Sequence, residues 1–300
     1  MTPRWPGILA AAFGLLLSAP ASAAPLRVLA SFLPMYVFTI NVVGAVPGVT
    51  VDLMLPASLG CPHDYALTPS DMRKIAEADL LIANGRGMEE FLGAPVHKAN
   101  PALRVVETAA AVPPLREAHG DGGGRDAVAE INPHTWVSPR NAVLQVREIE
   151  RALAAASPAN AARFHANADA YVNRLETLQR EYEEASRNFR RRNIVTFHNV
   201  FDYLARDLGL RIVGEVENTP GQEPSAGEIR RLVRTIRDKD VPAVFAEPQY
   251  SRRIADVIAG EAGVPVRILD PLATGSTAPG AYEEAVRRNL KTLGATLSGP

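Results

Sequence analysis

Of the six histidines in the chain, three stand in settings that invite chemistry: Cys61-Pro62-His63-Asp64-Tyr65, Asn132-Pro133-His134-Thr135-Trp136 and Phe197-His198-Asn199. The first two lie beside prolines in loops after apolar runs with strand character, and His198 directly follows a third such run. Asp270 holds the matching place after a fourth run and precedes Pro271. In α/β sheets, ligands bind beyond the carboxyl ends of strands, where side chains from separate loops converge. Three imidazoles and one carboxylate gathered there would suit a borderline divalent cation in a tetrahedral shell. Taken singly, each residue has a plainer reading. A histidine after a strand is commonly a hydrogen-bonded loop residue, and Asp-Pro is commonly a turn. His97, His119 and His165 read as surface residues.

The elements that must position these groups are legible as patterns. Continuous Val/Ile/Leu runs at 26–31, 49–55, 80–83 and 103–106, and again at 194–197, 210–213, 243–246 and 264–269, predict parallel strands buried on both faces. Between them, Thr68-Pro69 opens one helix with proline at its first position. Ser225-Ala226-Gly227-Glu228 is a capping box ahead of Ile229, Leu232, Val233 and Ile236. Asn199 is placed to cap a short helix that Gly209 closes. Strands alternating with helices, in two copies, predict α/β architecture with two lobes.

The segment joining the copies is different. From Ser157-Pro158 to Arg192 there is no further Gly or Pro, and Phe164, Ala168, Tyr171, Leu175, Leu178, Tyr182, Ala185 and Phe189 recur at alternating spacings of four and three. That stripe predicts one long helix over residues 157–192. It would be a rigid link of about 50 Å that permits only small opening motions. The expected organisation is residues 24–156 as an amino-terminal lobe and 193–300 as a carboxy-terminal lobe. Gly120, Gly122, Gly123 and Gly124 mark a surface loop within 116–130.

Residues 1–23 read as a cleavable secretory signal. Arg4 is followed by an apolar stretch from Ile8 to Leu17, then Pro20 and Ala21-Ser22-Ala23. The stretch is about half the length that a membrane span requires. Cleavage after Ala23 leaves no cysteine to carry a lipid, so the mature chain is expected free in the periplasm. Its single cysteine, Cys61, forbids an internal disulfide. A formal net charge of −1 supplies no electrostatic footprint for nucleic acid or an anionic membrane.

Several landmarks occur in order along the chain: Pro62-His63-Asp64-Tyr65 with Thr68-Pro69-Ser70-Asp71, then Ala78-Asp79-Leu80 through Asn84-Gly85. Pro133-His134-Thr135-Trp136 with Ser138-Pro139, Thr196-Phe197-His198, Ala246-Glu247-Pro248 and Leu269-Asp270-Pro271-Leu272 follow. Around a long central helix, this set resembles the cluster A-I metal-specific solute-binding proteins of bacterial ABC importers, which handle zinc, manganese or iron. The resemblance implies two α/β lobes with parallel-rich sheets, joined by a rigid helix, and a metal between them. His63 and His134 would come from the first lobe, and His198 and Asp270 from the second. Trp136 and Glu247 would line the pocket, and Cys61 would stand close to His63.

Manganese-binding members tend to carry a carboxylate where His198 stands. The expected cargo is therefore Zn2+, with Mn2+ the alternative. The implied partners are an inner-membrane ABC permease with its cytoplasmic ATPase, served by a monomer. Two departures stand out. Cysteine is unusual two residues before the first histidine, and the His-rich loop of many zinc members is reduced here to a short segment with His119. A secreted zinc hydrolase is the competing class. It would need a coordination position open to water and a general base, and the chain has no His-Glu-x-x-His.

Overall fold

Eight short strands carry the fold: β1 (Leu26–Ala30), β2 (Val49–Leu53), β3 (Leu80–Ala83), β4 (Arg104–Glu107), β5 (Asn193–Thr196), β6 (Arg211–Glu215), β7 (Val244–Ala246) and β8 (Val266–Ile268). They are seen in a computed structural model that describes residues 25–60, 62–63, 65–116, 131–217 and 223–299. All strand pairing is parallel, in two four-stranded sheets ordered β2-β1-β3-β4 and β6-β5-β7-β8. Both orders reverse at the same place. The chain leaves the second strand of each sheet and crosses back to the far side of the first. The carboxyl ends of β1 and β3, and of β5 and β7, therefore flank a topological switch point in each lobe.

Of the central strands, β3 and β7 are buried throughout as expected, whereas β1 and β5 are buried only from Val28 and Ile194 onward. The edge strands depart further. β2 alternates half-buried and exposed residues, and β4 has three exposed residues of its four. An outer strand of a four-stranded sheet is covered on fewer sides, so an unbroken apolar run does not secure full burial.

Nine helices cover the sheets among the described residues: α1 (Leu33–Val43), α2 (Pro69–Glu77), α3 (Ala94–Ala99), α4 (Pro139–Ala156), α5 (Ala161–Ser186), α6 (Asp202–Leu208), α7 (Ala226–Asp238), α8 (Arg253–Ala262) and α9 (Ala281–Leu297). Thr68 and Asp71 form a complete capping box on α2, as Ser225 and Glu228 do on α7. Each satisfies backbone N–H groups that would otherwise lack a partner. Asn199 makes no such cap. It begins a 3-10 turn, Asn199–Phe201, and α6 starts after it, ending on left-handed Gly209.

The long link is α5, 26 residues and about 39 Å. It is shorter than the expected span of 157–192. Pro158 opens a separate 3-10 turn because the residue before a proline is driven out of helical geometry. At the far end, Arg187, Asn188 and Phe189 bond three residues back rather than four. Arg192 finishes the helix by donating to Ser186 O, and the same guanidinium donates to Leu208 O of α6. Phe164, Ala168, Tyr171, Leu175, Leu178 and Tyr182 are all buried along α5. The link is also not solitary, since α4 runs beside it and α9 packs on its other side. One core joins the first sheet, α1, α4, α5 and α9, with Phe38 against both Tyr171 and Tyr282. A smaller core lies between the second sheet and α7 and α8.

Candidate metal centre

His198 lies two residues beyond the end of β5, in extended conformation, and is 1% exposed. Glu247 directly follows β7, the neighbouring strand across the switch point, and is fully buried. That juxtaposition sets Glu247 Oε1 2.5 Å from His198 Nδ1. The other carboxylate oxygen accepts from Gln249 Nε2 at 2.7 Å. The contact is an ion-pair approach rather than an aligned hydrogen bond, and it sets the carboxylate against the Nδ1 side of the ring. Tyr250 stacks on Phe197 and meets the His198 ring edge-on at 5.9 Å.

His134 is equally buried, in the loop before α4. The first lobe's switch point holds that loop. Asn84, directly after β3, donates to Pro133 O at 2.8 Å and accepts from Thr135 Oγ1 at 2.8 Å and Gln145 Nε2 at 3.0 Å. Buried Glu89 in turn accepts from Ser31 Oγ and from the backbone of Asn84 and Gly85. Burial, then the neighbouring imidazoles of His198 and His63, hold His134 well below the usual imidazole pKa. At neutral pH it is uncharged, the form in which an imidazole ligates.

His63 is half-buried, in the loop between β2 and α2. Two residues on, Tyr65 Oη donates to the Asp71 carboxylate at the start of α2, which ties the loop to that helix. His63 Nε2 stands 3.0 Å from His134 Nε2. The ring centroids are 5.0 Å apart, and the His134 and His198 centroids are 5.4 Å apart. Two nitrogens on one tetrahedral zinc would be about 3.3 Å apart, given bonds of roughly 2.0–2.1 Å. The observed pair is within a few tenths of an ångström of that spacing.

Asp270 follows β8 and has a different set of partners. Oδ1 accepts from Leu272 N at 2.8 Å, and Oδ2 is 3.6 Å from Arg288 Nη2. Asn289 of α9 clasps its backbone through both carboxamide atoms. Burial pushes its carboxyl above the ordinary range, against the pull of the Leu272 N–H and of Arg288. Trp136 donates from Nε1 to Pro271 O at 2.8 Å, and its ring is 5.4 Å from that of His134. One tryptophan thus joins the His134 loop to the Asp270 loop.

The structure therefore sets His134 against both His63 and His198. Among the described residues, no three His, Cys, Asp or Glu groups are gathered tightly enough to hold an ion as they stand. Cys61, Asp64, His119 and the glycines of the 116–130 loop lie outside the described residues, as does the segment 1–23. The ends of that loop are pinned by bridging of Arg116 with Ile131. Asn84 and Asn132 stood in the sequence motifs without an assigned role, and Arg288 and Asn289 stood in none. Asn132 alone carried a signal, since an Asx residue two before a histidine can accept that residue's N–H.

The buried neutral His134 has a consequence for the metal-free protein. Unfolded, its ring takes a proton below about pH 6.5, whereas the folded chain resists protonation there. The unfolded state then binds more protons, so stability is expected to fall as pH drops through that value. Urea midpoints between pH 8 and pH 5 check this, and His134→Gln should flatten that part of the profile.

Comparison with known proteins gives matches along nearly the whole chain. A family model described as ZnuA, zinc-uptake complex component A periplasmic, matches residues 28–296. The "Zinc-binding lipoprotein AdcA" of Streptococcus pneumoniae (strain ATCC BAA-255 / R6) is 29% identical over 278 residues, covering 89% of this chain and 55% of the relative. The chain thus spans about half the length of that relative. A crystal structure of ZnuA superposes with a TM-score of 0.80 at 27% identity, covering 91% of this chain and all of that one. The solute-binding protein FpvC from Pseudomonas aeruginosa, in complex with Mn2+, gives 0.78 at 29% identity, covering 91% and 98%.

Proposed function

This chain belongs to the ZnuA family of periplasmic zinc-uptake component A proteins, and from that premise we propose that it captures one Zn2+ between its lobes and delivers it to an ABC permease driven by a cytoplasmic ATPase. The ligands in this reading are His63, His134, His198 and Asp270. The observation that carries it is the contact of His134 with both His63 and His198, one from its own lobe and one from the other. The partners on the far side of two rings support it. Asn132 faces His134 Nδ1 and Glu247 faces His198 Nδ1, which directs both Nε2 atoms toward one region. Trp136 lines that region.

The site binds rather than catalyses in this reading. Three nitrogens and a carboxylate complete a four-coordinate shell and leave no position for an attacking water. FpvC with Mn2+ keeps a manganese cargo as the competing reading. The secreted zinc hydrolase is less well supported. We place the mature protein free in the periplasm, as a monomer, after cleavage behind Ala23.

Elemental analysis of protein purified from periplasm without added metal is the test. About one zinc per chain is expected, with an amino-terminal sequence beginning at Ala24. Stoichiometric manganese or iron would overturn the choice of cargo. Protein that stays metal-free in zinc-replete cells would overturn the binding reading itself.

A further inference from the structure

Asn132 is 1% exposed, and each of its polar groups has a partner. Its N–H donates to Leu115 O at 2.9 Å, and its carbonyl accepts from Tyr203 Oη at 3.0 Å. Oδ1 accepts the His134 backbone N–H at 2.9 Å and lies 3.0 Å from His134 Nδ1. Nδ2 donates to Asn199 O at 2.8 Å and lies 3.4 Å from Asp202 Oδ2.

These partners fix the carboxamide's orientation by chemistry alone. A backbone N–H can only donate, so the atom facing it is oxygen, and a carbonyl can only accept, so the atom facing Asn199 O is nitrogen. Since Oδ1 cannot donate, a neutral His134 must carry its proton on Nδ1. Its Nε2 then holds the lone pair that meets His63. Asn199 directly follows His198, and Asp202 opens α6, so the other half of the same carboxamide grips the segment that carries His198.

We propose that Asn132 is a positioning residue for metal capture: one carboxamide sets the His134 tautomer and ties that ring to the backbone beside His198 in the opposite lobe. This rests on the zinc-capture reading. Alanine at 132 would leave His134 free to protonate at either nitrogen and would release the Asn199 carbonyl. Both changes work against three imidazoles meeting at one centre. Aspartate separates the two roles. It still accepts from His134 N and Nδ1, but it cannot donate to Asn199 O and brings a charge toward Asp202.

Two readouts on metal-free protein test this, followed by zinc titration. Imidazole 15N shifts should report His134 protonated at Nδ1 in the native chain and in Asn132→Asp, but mixed tautomers in Asn132→Ala. Amide hydrogen exchange over residues 199–203 should quicken in both variants. Zinc affinity should fall about 10- to 100-fold in Asn132→Ala, the usual cost of losing such a partner. Native exchange rates in Asn132→Asp, or native tautomer and zinc affinity in Asn132→Ala, would overturn the proposal. An Nε2-protonated His134 in the native chain would overturn it whether or not a variant folds. Tyr203→Phe, which removes the Tyr203 Oη bonds to Asn132 O and from Leu115 N but spares the carboxamide, supplies a milder variant in which the native tautomer should persist. If the zinc reading alone is wrong, the native protein fails to bind zinc while the tautomer and exchange results stand.

Discussion

Chelating the metal is expected to lower the melting temperature by about 5–10 °C from its value at a hundredfold zinc excess over Kd. A ligand bound only by the folded state stabilises it by about 2.7 kcal/mol at that excess. In chains of roughly this size, each kcal/mol moves the midpoint by about 2–4 °C. The proposed binding groups sit on separately folded segments, with His63 before α2, His134 before α4, His198 after β5 and Asp270 after β8. No unfolded chain holds them together, so the gain belongs to the native state. His63→Ala is the cleanest variant, because this ring is only half-buried while His134 and His198 are each 1% exposed. It should cost the metal-free protein little and remove most of the zinc-dependent rise. Asp270→Ala should do the same for the second lobe, although it also frees Arg288 and the Leu272 N–H. Calorimetry with and without chelator measures both. An unchanged midpoint with stoichiometric zinc shown to be bound would place the metal outside the interlobe region.

The same contacts describe what zinc must do on entry. His134 presents its Nε2 lone pair, so the proton in the 3.0 Å contact belongs to His63 Nε2. Binding therefore requires His63 to move that proton to Nδ1 or release it. In the four-ligand reading, any turn of Asp270 toward the histidines would work only against Arg288 at 3.6 Å, across a partly exposed pair. Such a pair is weak, worth at most about 1 kcal/mol. These are small rearrangements beside the affinity of a four-ligand zinc site. They also accord with α5 as a short stiff link, braced by α4 and α9.

All eight strands were legible because apolar runs in α/β chains are short, β-branched and bounded by turn residues. The runs could not show which strands form the edges, since β2 and β4 read much as β1 and β3 do and differ only in neighbours. The stripe from Phe164 to Ala185 disclosed α5, yet it continued in register to Phe189 after the helix had ended at Ser186. Periodicity marks a buried face and does not register a change from four-residue to three-residue hydrogen bonding. At the site, the histidines were conspicuous because imidazole is uncommon and these three lay beside prolines or, for His198, just past a strand end. Asn132 and Asn289 were not, because their roles come from tertiary hydrogen bonds across lobes or helices, for which local sequence carries almost no pattern. Glu247 drew notice through the resemblance, as a residue lining the pocket. Its position against His198 Nδ1 depends on β5 and β7 being neighbours, and that follows from sheet order.

Zinc is expected to outcompete manganese by a wide margin, and the reason lies in how firmly the two buried rings are held. Three imidazole nitrogens and one carboxylate suit a tetrahedral borderline ion, whereas manganese prefers oxygen donors and six positions. Expanding the shell would require the rings to separate and admit further ligands. Asn132 fixes His134 through two hydrogen-bond contacts at 2.9 and 3.0 Å, and the fully buried Glu247 closes off the Nδ1 side of His198, so the walls resist that expansion. Intrinsic affinity points the same way, because manganese stands lowest in the divalent first-row series. In a competition titration, manganese at a hundredfold excess should leave most of the bound zinc in place. A carboxylate at position 198 should narrow the gap, but His198→Glu alone would set two carboxylates together at Glu247. The informative variant is His198→Glu with Glu247→Gln, which keeps a hydrogen-bond donor against the new carboxylate. That double variant should lose zinc affinity by more than it loses manganese affinity. If the native protein takes manganese in preference at equal concentrations, either Asp270 and the three histidines are not the ligand set or donor type does not govern selection here.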